Sequence, residues 1–259
     1  MAAKATYVYC VVASRSVPRV PRVPRGPSGL PGTGPLRLLD VEPGLFLVVA
    51  DAPLSRYGED AINRRLSDLA WVSRAAVAHE AVIEAFIDET AVLPMKLFTL
   101  FTSDARAIEH VQSQKTRIAA LVKRLGNHHE WGVRVVLDRK RVTKQPAKAD
   151  RSASASGAAY LTQKKAQRDA AVELSARARE TVAALYDRFA GRARLARRRS
   201  PSELPDGGGA LLLDAAFLVP KTREQSFRAQ VEREARSLAS HGYGLTLTGP
   251  WPPYSFVQD

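Results

Sequence analysis

A chain of 259 residues that is 45% hydrophobic carries enough apolar material for one large or two ordinary domains. Its single cysteine, Cys10, excludes an intramolecular disulfide and any cysteine-based metal site, which suits a reducing cytoplasm. The formal net charge of +13 is unevenly placed: residues 139–200 hold 17 Lys/Arg against 5 Asp/Glu, residues 13–38 hold five arginines and no acid, and the rest is slightly acidic.

Residues 5–13 predict a buried strand, too short to span a bilayer. Residues 17–35 repeat Pro-Arg-Val and then turn Pro/Gly-rich, which predicts a stiff loop. Arg37–Val41 reads as a short strand, Pro43-Gly44 as a turn and Leu45–Ala50 as a buried strand. A helix over 55–70 follows, with Ser55 as cap and Ile62, Leu66 and Leu69 at helical spacing, then a second over 74–89. Leu93-Pro94 breaks it, and Met95–Phe101 is apolar enough for a strand. A third helix runs from Ser103 or Asp104 to Leu125 and ends at Gly126-Asn127.

Trp131–Leu137 reads as a strand, 143–156 as a linker and Tyr160–Phe189 as a long helix. Residues 192–209 are basic and then Pro/Gly-rich, with room for one short strand near Arg192–Arg199. Leu211–Val219 is a strand. Thr222 and Gln225 form a capping box for a helix lined by Phe227, Val231, Ala235 and Leu238, and Tyr243–Thr248 is the last strand. The second half therefore runs strand, helix, strand, helix, strand, with room for that one short strand, an order that resembles a ferredoxin-like split βαβ arrangement. The fold class predicted is α+β with two domains: 1–127, and a ferredoxin-like 128–259 that carries the basic insertion and a C-terminal arm.

Candidate chemistry is sparse. His128-His129-Glu130 is the only cluster of potential metal ligands, but adjacent residues rarely converge on one ion, and a polar turn is expected there. There is no helical His-Glu-x-x-His, nucleophile elbow, phosphate loop or dinucleotide fingerprint. Gly207-Gly208-Gly209 precedes a strand and reads as a hinge. Cys10 reads as a small buried hydrophobe. No catalytic residue, metal or cofactor is expected. A basic ferredoxin-like module could bind nucleic acid, but its strand candidates offer only Trp131 and Phe217, and its charge lies in loops and a helix.

The chain ends Gly249-Pro250-Trp251-Pro252-Pro253-Tyr254-Ser255-Phe256-Val257. Three prolines and three aromatics in nine residues exclude a helix and a central strand and leave an extended arm. An exposed arm of this kind is a sticky liability, so it is expected to pack back as a tail tying two domains together, or to hold a partner. This string resembles the terminus of the gas vesicle protein GvpL/GvpF family. Other pieces match in order: Tyr7-Val8-Tyr9, His79-Glu80-Ala81-Val82 at a helix start, Ala91-Val92-Leu93-Pro94-Met95-Lys96, Glu130-Trp131-Gly132-Val133, Gly157-Ala158-Ala159-Tyr160-Leu161 and Ala215-Ala216-Phe217-Leu218-Val219.

The resemblance spans nearly the whole length. It implies an N-terminal α+β domain, a C-terminal ferredoxin-like domain, and a non-enzymatic accessory protein of the cytoplasm, associated with gas vesicles. Such a protein binds the small hydrophobic shell protein and assists vesicle assembly and nucleation, and its partners include other accessory proteins but no membrane. A subunit that must present an apolar face to gas is an aggregation hazard before assembly, so an escort covering that face has a physical purpose. The family implies contact through the N-terminal domain. The best local candidates are Leu93, Pro94, Met95, Leu97, Phe98 and Phe101, although a core strand entered through a proline turn fits them equally. Gly249, Pro250, Trp251, Pro252, Pro253 and Tyr254 are the structural signature. The chain departs from the family at Cys10, where glycine is common, at Lys96, which replaces an arginine, and at Leu97-Phe98, where a phenylalanine-glycine pair is common; losing that glycine puts a turn at Phe98 in doubt. The basic segments 15–37 and 139–199 suggest a second contact, with acidic accessory proteins or an acidic shell surface.

Overall fold

The computed structural model describes residues 3–21, 27–137, 157–199 and 210–257. The chain folds as two compact units, Met1–Glu130 with Pro250–Asp259, and Trp131–Gly249. The C-terminal arm therefore belongs with the first unit, whereas the sequence alone attached it to residues 128–259. The expected linker 143–156, most of the basic stretch before it and the glycine run 207–209 lie outside the described residues.

The first unit is built on β1 (Lys4–Ala13), β2 (Arg37–Glu42), β3 (Leu45–Pro53), β4 (Ala91–Pro94) and β5 (Leu100–Phe101). The sheet order is β2-β3-β1-β4, with β5 also pairing to β1, and each of these pairings to β1 or β3 is antiparallel. Every residue of β1 after Lys4 is buried, because its apolar run leaves no polar face for water. Around the sheet lie α1 (Leu54–Tyr57), α2 (Glu59–Arg65), α3 (Leu69–Glu84), α4 (Asp104–Ser113) and α5 (Lys115–Leu125).

The helix boundaries move where a local signal is stronger than the apolar spacing. Gly58, in extended conformation, splits the expected 55–70 helix in two, and Ser55 lies inside α1 rather than at its cap. The helix expected over 74–89 starts earlier because the Asp68 side chain accepts the Trp71 N–H at 3.0 Å, so His79 sits mid-helix and not at a start. The helix expected through 125 breaks at Gln114, but its beginning and end are as read: Ser103 accepts the Arg106 N–H, and the Gly126 N–H bonds the Val122 carbonyl. Of Met95–Phe101, expected as one strand, only Leu100–Phe101 is a strand, β5. Another strand, β4, precedes this segment, and Met95–Thr99 is a turn.

The second unit contains β6 (His128–Leu137, whose first three residues fall in the first unit), α6 (Gly157–Ala190), β7 (Leu195–Arg198), β8 (Ala210–Pro220), α7 (Glu224–Ala239) and β9 (Tyr243–Trp251). Its sheet order is β7-β8-β6-β9. The whole is a mixed α/β protein with two antiparallel sheets. Phe217 of β8 lies 5.9 Å from Phe189 of α6 and 5.8 Å from Phe227 of α7, ring centre to ring centre, so one aromatic cluster fastens both helices to the sheet. Gly132 of β6 is glycine for a steric reason: a Cβ there would stand 2.5 Å from the Thr248 hydroxyl of β9. The edge position of β9 accommodates Pro250, which has no amide to donate. The capping box at Thr222 and Gln225 does not form: Pro220 leads into a single 3₁₀ turn at Lys221–Arg223, and α7 begins at Glu224 with no side-chain cap.

Trp131 and Phe217, the rings an RNA-binding sheet would have to present, are 3% and 0% exposed and lie in this core. Part of the basic charge is structural as well. Arg37 bonds both Asp51 and Asp104, Arg134 and Arg199 share Asp214, and the Arg198 guanidinium stacks 4.4 Å from the centre of the Tyr186 ring.

Candidate functional site

The turn Met95–Thr99 is held by a buried polar relay. The Met95 N–H donates to the Tyr9 carbonyl at 2.9 Å, and the Phe98 N–H donates to the Tyr7 hydroxyl oxygen at 3.1 Å. The Tyr7 hydroxyl lies 2.8 Å from His79 Nδ1, and His79 Nε2 lies 3.1 Å from the Met95 carbonyl. Only one proton arrangement satisfies every member. Tyr7 donates to Nδ1, and a neutral imidazole protonated at Nε2 donates to Met95. Burial agrees with this: it lowers the His79 pKa and raises that of Tyr7 above the usual phenol value.

The relay fixes Phe98 at φ 64°, a left-handed conformation that a bulky residue adopts only at a cost. The turn thus forms without the glycine that the family resemblance places there. The Phe98 ring stacks on Trp71 at 5.1 Å and an interplanar angle of 10°, a contact glycine could not make.

Beside this turn lies a cleft of about 540 Å³ in the first unit. One wall is the β4–β5 segment, with Leu93, Pro94, Met95, Lys96, Thr99 and Phe101. A second is α4 and α5, with His110, Val111, Gln114, Arg117, Ile118 and Leu121. The C-terminal arm contributes Tyr254 and Val257. The volume lies in the range of ordinary ligand pockets. Four of the residues singled out from sequence, Leu93, Pro94, Met95 and Phe101, line it together, while Leu97 and Phe98 turn away and pack on the core.

The arm is fixed from its own side. Glu130, 2% exposed, accepts both the Ser255 N–H and the Ser255 hydroxyl, each at 2.7 Å, and Arg124 donates to the Phe256 carbonyl at 2.7 Å. Hydrogen bonds to a buried charge are each worth about 1.5–3 kcal/mol, so this clasp outweighs the fraying expected of a free terminus. Pro252, Pro253 and Phe256 are buried, and Gly249, at φ 119°, supplies the backbone conformation that aims the arm. The Tyr254 hydroxyl is buried with no hydrogen-bond partner among the described residues, and desolvation, with Glu80 nearby, raises its pKa.

Glu130 and Ser255 belong to two sequence strings that carried the resemblance separately; in the fold they are one clasp. His128-His129-Glu130 is correspondingly not a polar turn but the start of β6, with His129 Nε2 at 3.0 Å from the Ile87 carbonyl. The sequence reading missed His79 as the clamp of the turn. The available signal was a histidine on the apolar stripe with Val82 and Ile83, which must find buried partners. It also missed the α4–α5 wall, because Ile118 and Leu121 are indistinguishable in sequence from ordinary core positions. Among the described residues no group of three or more His, Cys, Asp or Glu could hold a metal ion, and no helix is long and apolar enough to cross a membrane. Cys10 is buried, and burial raises its thiol pKa.

Residues 5–258 match the family model of the gas vesicle synthesis protein GvpL/GvpF. The chain is 31% identical over 229 residues to gas vesicle protein L of Streptomyces sp. (strain CB03234), covering 87% of this chain and 84% of that protein. It is 26% identical over 268 residues to gas vesicle protein F of the same strain, covering 98% and 99%. The crystal structure of GvpF from Anabaena sp. PCC7120 superposes with a TM-score of 0.70 at 17% identity, covering 99% of this chain and 97% of that one. GvpF from Microcystis aeruginosa gives 0.67 at 15%, covering 98% and 99%. The motifs, the fold and the matched length agree, and the chain belongs to the GvpL/GvpF family of gas vesicle synthesis proteins.

Proposed function

We propose that this chain is a non-enzymatic assembly factor that binds the small hydrophobic shell protein through the cleft of its first unit and delivers it during vesicle nucleation. One observation carries the reading: Leu93, Pro94, Met95 and Phe101 share one cleft, of apolar and cationic walls, with Tyr254 and Val257 of the C-terminal arm, far away in sequence. Methionine and aromatic side chains on such a wall can adapt to a partner, and an apolar groove is what an escort of an aggregation-prone subunit needs. The second unit is read as ferredoxin-like, which its strand-helix-strand-strand-helix-strand order and its β7-β8-β6-β9 sheet support. In this reading it acts as a scaffold, and the chain is associated with gas vesicles in the cytoplasm.

The test is co-expression of the shell subunit with the full chain, followed by measurement of soluble, captured subunit. Wild type is expected to hold the subunit in solution. Met95→Asp and Val257→Asp, which place a carboxylate on two cleft walls without touching the core, are expected to reduce capture at least tenfold. Equal capture by folded variants contradicts the cleft as the binding surface.

A further inference from the structure

The same cleft has a charge pattern that narrows its occupant. Its described lining contains Lys96, Arg117 and His110 but no aspartate or glutamate. Arg117 donates to the Gln114 side-chain carbonyl at 3.1 Å and reaches the Val257 carbonyl at 3.5 Å. The Gln114 amide meets His110 Nε2 at 2.7 Å, so this glutamine is held from both sides and steadies the guanidinium with a neutral acceptor. Among the described residues Arg117 is thus positioned without a carboxylate partner. Lys96 comes from the turn whose geometry the Thr99 side chain fixes by donating to the Lys96 carbonyl at 2.7 Å. Among the described residues the nearby acids lie outside the cleft lining: Glu130 clasps Ser255, and Glu80 and Glu84 raise the Tyr254 pKa from outside it.

We infer that the cleft takes a protein segment that pairs apolar side chains with at least one carboxylate, which docks on Arg117 and Lys96. This deepens the shell-protein reading and rests on it. An apolar floor alone would accept any greasy segment. Two cations at its margin reject a segment that brings a lysine and select one that brings an acid, because like charges juxtaposed across an interface repel. A guanidinium held in place loses little freedom on binding and can grip a carboxylate with two parallel hydrogen bonds.

The test uses the full chain and the shell subunit as probe. Lys96→Met with Arg117→Met keeps the apolar stems and removes the charge; Arg64→Met with Lys123→Met removes the same charge away from the cleft. The cleft pair is expected to weaken capture about tenfold or more and to flatten its salt dependence, while the control pair leaves both unchanged. Replacing one particular carboxylate of the shell subunit by its amide is expected to give the same loss, and to add little on top of the double variant. If the methionine pair captures like wild type while Met95→Asp does not, the cleft binds the subunit by apolar contact and the carboxylate inference is overturned. If neither set of variants changes capture, the cleft reading itself fails.

Discussion

His79 is the residue on which the geometry of the cleft margin turns. Its relay needs a neutral imidazole, since a proton on Nδ1 would remove the acceptor for Tyr7. The folded pKa is depressed below 6.5 by burial, so in the acid range the unfolded chain binds a proton that the folded chain resists. The stabilisation is complete above the unfolded value and is lost as the pH falls through the folded one. The expected cost is up to about 1.4 kcal/mol per pH unit below 6.5 until the folded group protonates. Denaturant unfolding between pH 7 and pH 5 measures it: wild type should lose stability across the window, and His79→Gln should lose less. Parallel pH profiles would remove the relay from the account.

At the scale of an element, the turn between β4 and β5 combines strain with a contact that offsets it. Phe98 lies in the left-handed region at φ 64° and stacks on Trp71. Phe98→Ala keeps the strain and loses the ring, while Phe98→Gly loses the ring and the strain together. The glycine variant should therefore be the more stable by about 1 kcal/mol, the reverse of the usual order of these two residues. Thermal unfolding of both decides it, and an alanine variant at least as stable as the glycine variant contradicts the assignment. This turn also marks how far the sequence was legible. The apolar runs of β1, β3 and β8 could be read because burial on both faces leaves a continuous signature, and Gly126-Asn127 could be read because a left-handed asparagine, here at φ 58°, follows a helix end by a local rule. Met95–Thr99 could not be read as a turn, since the hydrogen bonds that bend it come from Tyr7, Tyr9 and His79, up to 91 residues away. The α3 start was missed because the Asp68 cap outweighs an apolar spacing that begins later. The residues of the cleft were half legible for the same reason: Leu93, Pro94, Met95 and Phe101 are close in sequence, whereas Arg117, Tyr254 and Val257 reach the site only through the fold.

At the scale of the molecule, the tail is what makes the cleft a property of the whole chain. Its residues follow β9, yet they fold with the first unit and supply a wall of the cleft there. A fragment ending near residue 127 would lack Glu130, Ser255, Tyr254 and Val257, so full-length protein is the meaningful reagent. The most direct measurement is site-specific photo-crosslinking in cells making the shell subunit. A photoreactive residue is placed at Met95 or Val257 in the cleft, and for contrast at Val77 on the exposed side of α3 or Thr246 on the exposed face of β9. Crosslinks to the shell subunit from Met95 and Val257, and not from Val77 or Thr246, are the predicted result. Crosslinks from Val77 or Thr246 with none from the cleft would contradict it and place the shell contact on another surface.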